Sequence, residues 1–319
     1  MQLVYAGIDI GGTNTVIGLF DETKHMMAMR KFTTLGEHWE YGGGPASYMD
    51  RLTAELRHTL VPLQAPDNGT LAAVGIGVPG QVDTDTGTVR DATNLGWQEV
   101  RLAAEMNRRL GVPVRIEHDV RAFAWGEWHA GAAQGCRSAL CLTIGTGIAA
   151  GIVLEGRLVG GSHHLAGEIG HDSVDGLQTL CACGKIGCLE TVVSASGIAR
   201  LAEQAGLAEK SVRLSVSAAD VSRMCADGDP RALHLYDYIA GLLAGKLGTA
   251  VALLDPEIVV VGGGVAEAGE FLLGPLRDKL NAQFPWHQGQ LRVVKGKLGD
   301  AAVLTGALHL AYSESKSRI

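Results

Sequence analysis

The sequence predicts an α/β protein built in two lobes. Three observations carry that expectation. The chain has 319 residues, more than one compact domain usually holds, so two lobes are the natural division. An apolar strand, a glycine–threonine turn and a returning apolar strand occur at 3–20 and again at 139–154, as if both lobes followed one plan. Hydrophobic residues make up 46% and charged residues 19%, which is the composition of a chain with a packed core.

The first strand, Leu3 to Asp9, enters a turn reading D-I-G-G-T-N, and Val16 to Phe20 returns from it. Backbone N–H groups at Gly11 and Gly12 can line a phosphate, Thr13 adds a hydroxyl, and Asp9 can hold magnesium directly or through water. Taken alone, the stretch is equally well an ordinary glycine turn beside a chance aspartate. It is neither a Walker loop nor a dinucleotide fingerprint, since no Gly-Lys-Ser/Thr follows and a strand comes next. Pro45 to Leu60 reads as a helix and Leu71 to Val78 as a buried strand ending in G-V-P-G. The stretch from Val82 to Asn94 is polar and turn-rich. Asn94 offers a donor and an acceptor suited to vicinal hydroxyls, although an Asn in a turn more often caps local backbone.

Leu102 to Leu110 is helical, and the strand Val112 to Glu117 delivers His118 and Asp119 at its carboxyl end, where sheets with intervening helices place ligands. Asp119 is therefore a candidate base, with a helix cap for Val120 to His129 as the alternative. The second hairpin, Ala139 to Ile144 and Ile148 to Leu154, turns at Gly145-Thr146-Gly147. A third glycine cluster, Gly262-Gly263-Gly264, ends the apolar run from Ile258, so no side chain there obstructs a flat ring. Helices are expected over Arg231 to Leu254, Gly269 to Gln283 and Asp300 to Ser313.

His171, Cys181, Cys183 and Cys188 form the densest chemical cluster in the chain. Gly184 and Gly187 let the backbone reverse so that the third sulfur meets the first two. Three thiolates and an imidazole make a closed tetrahedral set, which is the structural kind of zinc site. Glu168 and Glu190 flank it and would be held in place by the metal knot.

The net charge is −7, with 27 basic and 34 acidic residues and no basic run, so a nucleic-acid partner is not expected. Nothing at the start reads as a signal peptide, and no apolar run reaches the length of a membrane span. A cytoplasmic protein without a membrane partner is expected. Its six cysteines fit a reducing compartment, with Cys136, Cys141 and Cys225 as free thiols.

The motifs E-x-G-H, at Glu168–His171, and C-x-C-G-x-x-G-C-x-E, at Cys181–Glu190, resemble those of the ROK family of bacterial sugar kinases and sugar-sensing repressors. That resemblance implies the actin-like (ribonuclease H-like) fold, with a ligand cleft between two lobes and a zinc-binding loop. It places the lobes at 1–118 and 119–299, with the helix at about 300–319 packing back on the first. It implies ATP, Mg2+ and a structural Zn2+. The phosphates would meet Asp9, Gly11, Gly12, Thr13, Asn14, Gly145, Thr146 and Gly147, and the adenosine would meet Gly262, Gly263 and Gly264. Asp119 would be the catalytic base, and the sugar would touch Gly80, Asn94, His118, Asp119, Glu168, His171 and Glu190. The family usually has asparagine where His118 stands.

By this resemblance the expected activity is phosphorylation of the 6-hydroxyl of a hexose, with glucose first and an N-acetylhexosamine as the alternative. The expected assembly is a homodimer or a dimer of dimers. The rival from another class is a sugar-sensing regulator without its DNA-binding domain; such a domain would precede the first hairpin, where eight residues stand before Asp9.

Overall fold

The computed structural model describes residues 2–34, 44–63, 69–207, 216–287 and 289–316. The chain divides into two compact units, one of Met1–Gly131, Gly160–Leu165 and Asp300–Ile319, the other of Ala132–Val159 and Ala166–Gly299.

The first unit opens with the hairpin β1 (Leu3–Ile10) and β2 (Asn14–Phe20), extended by β3 (Met26–Thr33). Helix α1 (Pro45–Leu60) starts with proline at its first position, where a missing N–H costs nothing. Next come β4 (Thr70–Val78), the short strands β5 (Gln81–Asp83), β6 (Thr88–Ala92) and β7 (Trp97–Val100), helix α2 (Leu102–Leu110), β8 (Val114–His118) and helix α3 (Asp119–Ala130). The main sheet has the order β3-β2-β1-β4-β8. β1, β4 and β8 run parallel, with Asp9 beside Gly77 and Gly77 beside Glu117, so their carboxyl ends share one edge. Strands β5, β6 and β7 form a separate three-stranded sheet, where the sequence suggested only turns. Each is too short to show its alternation; Val82, Val89 and Trp97 nevertheless bury their side chains.

In the second unit, β9 (Ala139–Ile144), β10 (Ile148–Leu154) and β11 (Arg157–Leu158) make an antiparallel set. Helices α4 (Glu190–Val193), α5 (Ala195–Gln204), α6 (Ala218–Ala226) and α7 (Pro230–Leu254) follow. Then come β12 (Ile258–Gly262), helix α8 (Glu270–Gln283) and β13 (Arg292–Lys295). The order β11-β10-β9-β12-β13 repeats the plan of the first sheet: three antiparallel strands, then two parallel ones. Helix α7 is long and apolar enough to cross a membrane by length and composition, a test that the core helix of a protein also passes. Asp237 and Lys246 interrupt its apolar run, and Leu235, Tyr236, Ile239, Leu243 and Leu247 face the hydrophobic core of this unit.

The last helix, α9 (Ala301–Lys316), belongs to the first unit and packs on α3, β1 and β4. Leu304 and Leu308 are buried there with Tyr5 and Phe20, each side chain contributing roughly 2 kcal/mol by leaving water. A Cβ at Gly306 would stand 1.8 Å from Ala122 O, so only glycine lets α9 approach α3 this closely. That packing puts the stretch 119–131 in the first unit, past the 118/119 division suggested by resemblance.

Candidate functional site

In the first unit, parallel strands bring Asp9, at the end of β1, to the same edge as His118 and Asp119, at the end of β8. The turn between β1 and β2 is closed by the Gly11 N–H donating to Asn14 O (2.9 Å). Thr34 secures it from outside, its hydroxyl donating to Gly11 O (2.7 Å) and its N–H to Thr13 O (2.9 Å). Asn94 lies over this turn, its Cβ 3.7 Å from where a side chain on Gly12 would begin. Gly80 forms the corner between β4 and β5.

His118 is the N-cap of α3: its Nδ1 accepts the Val120 N–H at 3.2 Å. Asp119 Oδ1 accepts the same N–H at 2.7 Å. Among the described residues, the side-chain contacts of Asp119 fall on Oδ1, and Oδ2 has no hydrogen-bond partner. The Asp9 carboxylate is also without a hydrogen bond among the described residues, although its backbone pairs within the sheet. Burial, followed by the charges of Asp119 and Asp300, pushes its carboxyl up to about 7. Three carboxylates sharing one region favour a cation, and the oxygen donors suit magnesium. Asp300 escaped sequence reading because its Gly-Asp pair before a helix looks like an ordinary cap, and only the fold sets it near Asp9.

In the second unit, the turn Gly145-Thr146-Gly147 and the cluster Gly262-Gly263-Gly264 end the neighbouring parallel strands β9 and β12, with Gly262 beside Thr143. Glu190, at the start of α4, reaches the first of these turns, its Oε2 accepting the Ile148 N–H at 3.2 Å. A Cβ on Gly147 would stand 2.6 Å from that oxygen, so glycine there makes room for the carboxylate.

The three thiols converge with His171, all four ligand atoms lying within 4.8 Å of one another. Cys183 Sγ is 3.6 Å from Cys188 Sγ, and Cys181 Sγ is 3.8 Å from His171 Nδ1. Zinc–sulfur bonds of about 2.3 Å in a tetrahedron give sulfur–sulfur edges of about 3.8 Å, so the set fits that ion. Burial raises the Cys181 and Cys188 thiols, whereas a backbone N–H at Lys185 lowers Cys183. A divalent cation would offset the cost of holding all three as thiolates. His171 turns Nδ1 to the thiols and Nε2 toward Glu168 Oε2, 4.0 Å away, so one ring can serve both metal and ligand. Glu190 Oε1 stands 3.8 Å from Cys181 Sγ. Glu168 and Glu190 thus lie beside the knot, one next to His171 and the other next to Cys181.

The family profile described as ROK family matches residues 5–314. The chain belongs to the ROK family. Among ROK relatives, it is 33% identical over 321 residues to a glucokinase of Thermotoga maritima, covering 96% of each chain. It is 30% identical over 325 residues to an N-acetyl-D-glucosamine kinase of Salmonella paratyphi A, covering 96% of this chain and 99% of that one. It is also similar to the ROK glucokinase of Streptomyces griseus, solved with glucose and AMPPNP. The TM-score there is 0.78 at 30% identity, over 98% of this chain and 100% of that one.

Proposed function

We propose that this protein is an ATP-dependent hexose kinase acting on the 6-hydroxyl of glucose. The observation that carries this reading is Asp119, a carboxylate with one oxygen unpartnered among the described residues, at the sheet edge that also bears Asp9. The named activities of the relatives supply the substrate class.

Asp119 accepts the proton of the sugar hydroxyl as its oxygen forms a bond to the transferred phosphorus and the bond to the ADP oxygen breaks. Asn94, Glu168, Glu190 and His171 Nε2 hold the remaining hydroxyls, and Gly80 lets backbone approach the sugar. The turns at Gly11–Asn14 and Gly145–Gly147 present N–H groups to the phosphates, and Gly262–Gly264 face the adenosine. Asp9 would hold magnesium, which when bound neutralises charge on the phosphates. Zinc, when bound by His171, Cys181, Cys183 and Cys188, supplies rigidity to the loop carrying Glu190.

A coupled ADP-release assay with glucose, mannose, N-acetylglucosamine and N-acetylmannosamine, using ATP and polyphosphate as donors, tests the reading. Glucose with ATP is expected to give the highest kcat/KM; a lead for N-acetylglucosamine would select the second reading, and no hexose-dependent release would end both. Asp119→Asn is expected to lower kcat by about 10²–10⁴-fold with sugar binding reduced far less. Near-normal turnover in that variant would remove Asp119 as the base.

A further inference from the structure

The backbone that carries Asp119 rests on a buried ion pair for which the phosphoryl transfer has no direct use. Arg121, on the first turn of α3, is 2% exposed, and its Nε donates to Glu117 Oε1 at 2.6 Å. That same oxygen accepts the His118 N–H at 2.8 Å. Glu117 therefore fixes the residue immediately before Asp119, and Arg121 fixes Glu117. The rest of the guanidinium reaches further, donating to Val82 O on β5 (3.4 Å) and to His164 O (2.9 Å).

His164 belongs to the segment Gly160–Leu165, which packs in the first unit although the chain on both sides of it lies in the second. Its φ is +57°, a conformation that costs energy for any residue other than glycine, so its surroundings must impose it. Those surroundings are specific: Nε2 lies 3.3 Å from Asp83 Oδ1 and 3.6 Å from Asp85 Oδ2, and Nδ1 lies 3.4 Å from Thr84 Oγ1. Four residues further along the chain is Glu168.

Stability alone does not call for this pair, because apolar side chains of similar volume often replace a buried ion pair at no cost. What the planar fork adds is direction: one guanidinium bonds the strand before Asp119, the sheet below it and the carbonyl of His164. We propose that Arg121 is a positioning residue for Asp119, which ties the seat of the base to the segment leading into Glu168. The proposal rests on the reading of Asp119 as the base.

The test compares Arg121→Met, Arg121→Lys and the paired variant Glu117→Gln/Arg121→Met with wild type and Asp119→Asn, measuring Tm, kcat, both KM values and the pH profile of kcat. The paired variant removes the charges together, so its Tm is expected to stay within a few degrees of wild type. Its kcat is expected to fall about 10- to 100-fold, as for a base displaced by about an ångström, with the KM for ATP changed less than about threefold. Arg121→Lys keeps the charge without the fork and is expected to recover stability but only part of kcat. A paired variant with wild-type kcat and pH profile overturns the proposal, as does a lysine variant that restores Tm and kcat together. Should Arg121→Met fail to fold, the other two variants still decide. Turnover retained in Asp119→Asn would instead overturn the assignment of the base, so the two failures are separable.

Discussion

The Nδ1 atom of His118 lies 3.3 Å from Asp119 Oδ1, and both atoms accept the same Val120 N–H. An accepting Nδ1 carries no proton, so neutral His118 holds its hydrogen on Nε2 and offers a donor there. His118→Asn exchanges this ring for a shorter amide that also offers one donor and one acceptor. The ranking of kcat/KM among glucose, mannose and N-acetylglucosamine is expected to shift in the variant. An identical ranking would leave His118 as a helix cap only.

Asp9 gives a pH dependence of known sign. Its folded carboxyl is raised to about 7 from the ordinary 3.8, so the ionised form is the costly one in the fold. That cost is absent below the unfolded value, grows as pH rises from about 3.8 to about 7, and is then constant. Asp9→Asn is therefore expected to raise Tm without magnesium, more at pH 8 than at pH 5, while turnover is lost. Magnesium should stabilise wild type at pH 8 and leave the variant unchanged. A Tm gain independent of pH would contradict the raised carboxyl.

Elemental analysis of protein purified without added metal is expected to give about one zinc per chain. Stripping it with a chelator should lower Tm and raise the KM for sugar more than that for ATP, because Glu168 and Glu190 lose their frame. Cys188→Ala should do the same. Full activity in metal-free protein would reduce the thiols to core packing.

Where α3 crosses α9, His129 and His309 stack with ring centroids 3.6 Å apart, beside Trp125 and Trp128. Burial first, and the charge of Lys24 after it, lowers His129 to about 4; burial, then His129 and Lys24, lowers His309 to about 3. Both rings are neutral in the fold at neutral pH, so stability is unaffected above about 6.5 and is lost as pH falls from there through the folded values. His309→Phe keeps a ring in the stack and removes one site. Its acid unfolding midpoint, followed by circular dichroism, is expected to move to lower pH. An unmoved midpoint would mean that other groups govern acid unfolding.

Sequence alone determined the features written in short stretches of chain. Paired glycines between apolar runs predicted both hairpins, and three cysteines around two glycines predicted the metal knot, because nearby residues can only meet in a few ways. Asp119 was legible as a strand-end carboxylate for the same reason. Tertiary structure decided what depends on residues far apart in the chain. Asp300 joins Asp9 only because α9 folds back on β1 and β4, and that same packing moved the division of the chain past Asp119. The pairing of Arg121 with the His164 carbonyl has no sequence signal, since a buried arginine reads as an exposed one until its surroundings are known. His118 could have turned either way from its strand end. The fold turned its Nδ1 to the start of α3, where it shares the Val120 N–H with Asp119 Oδ1.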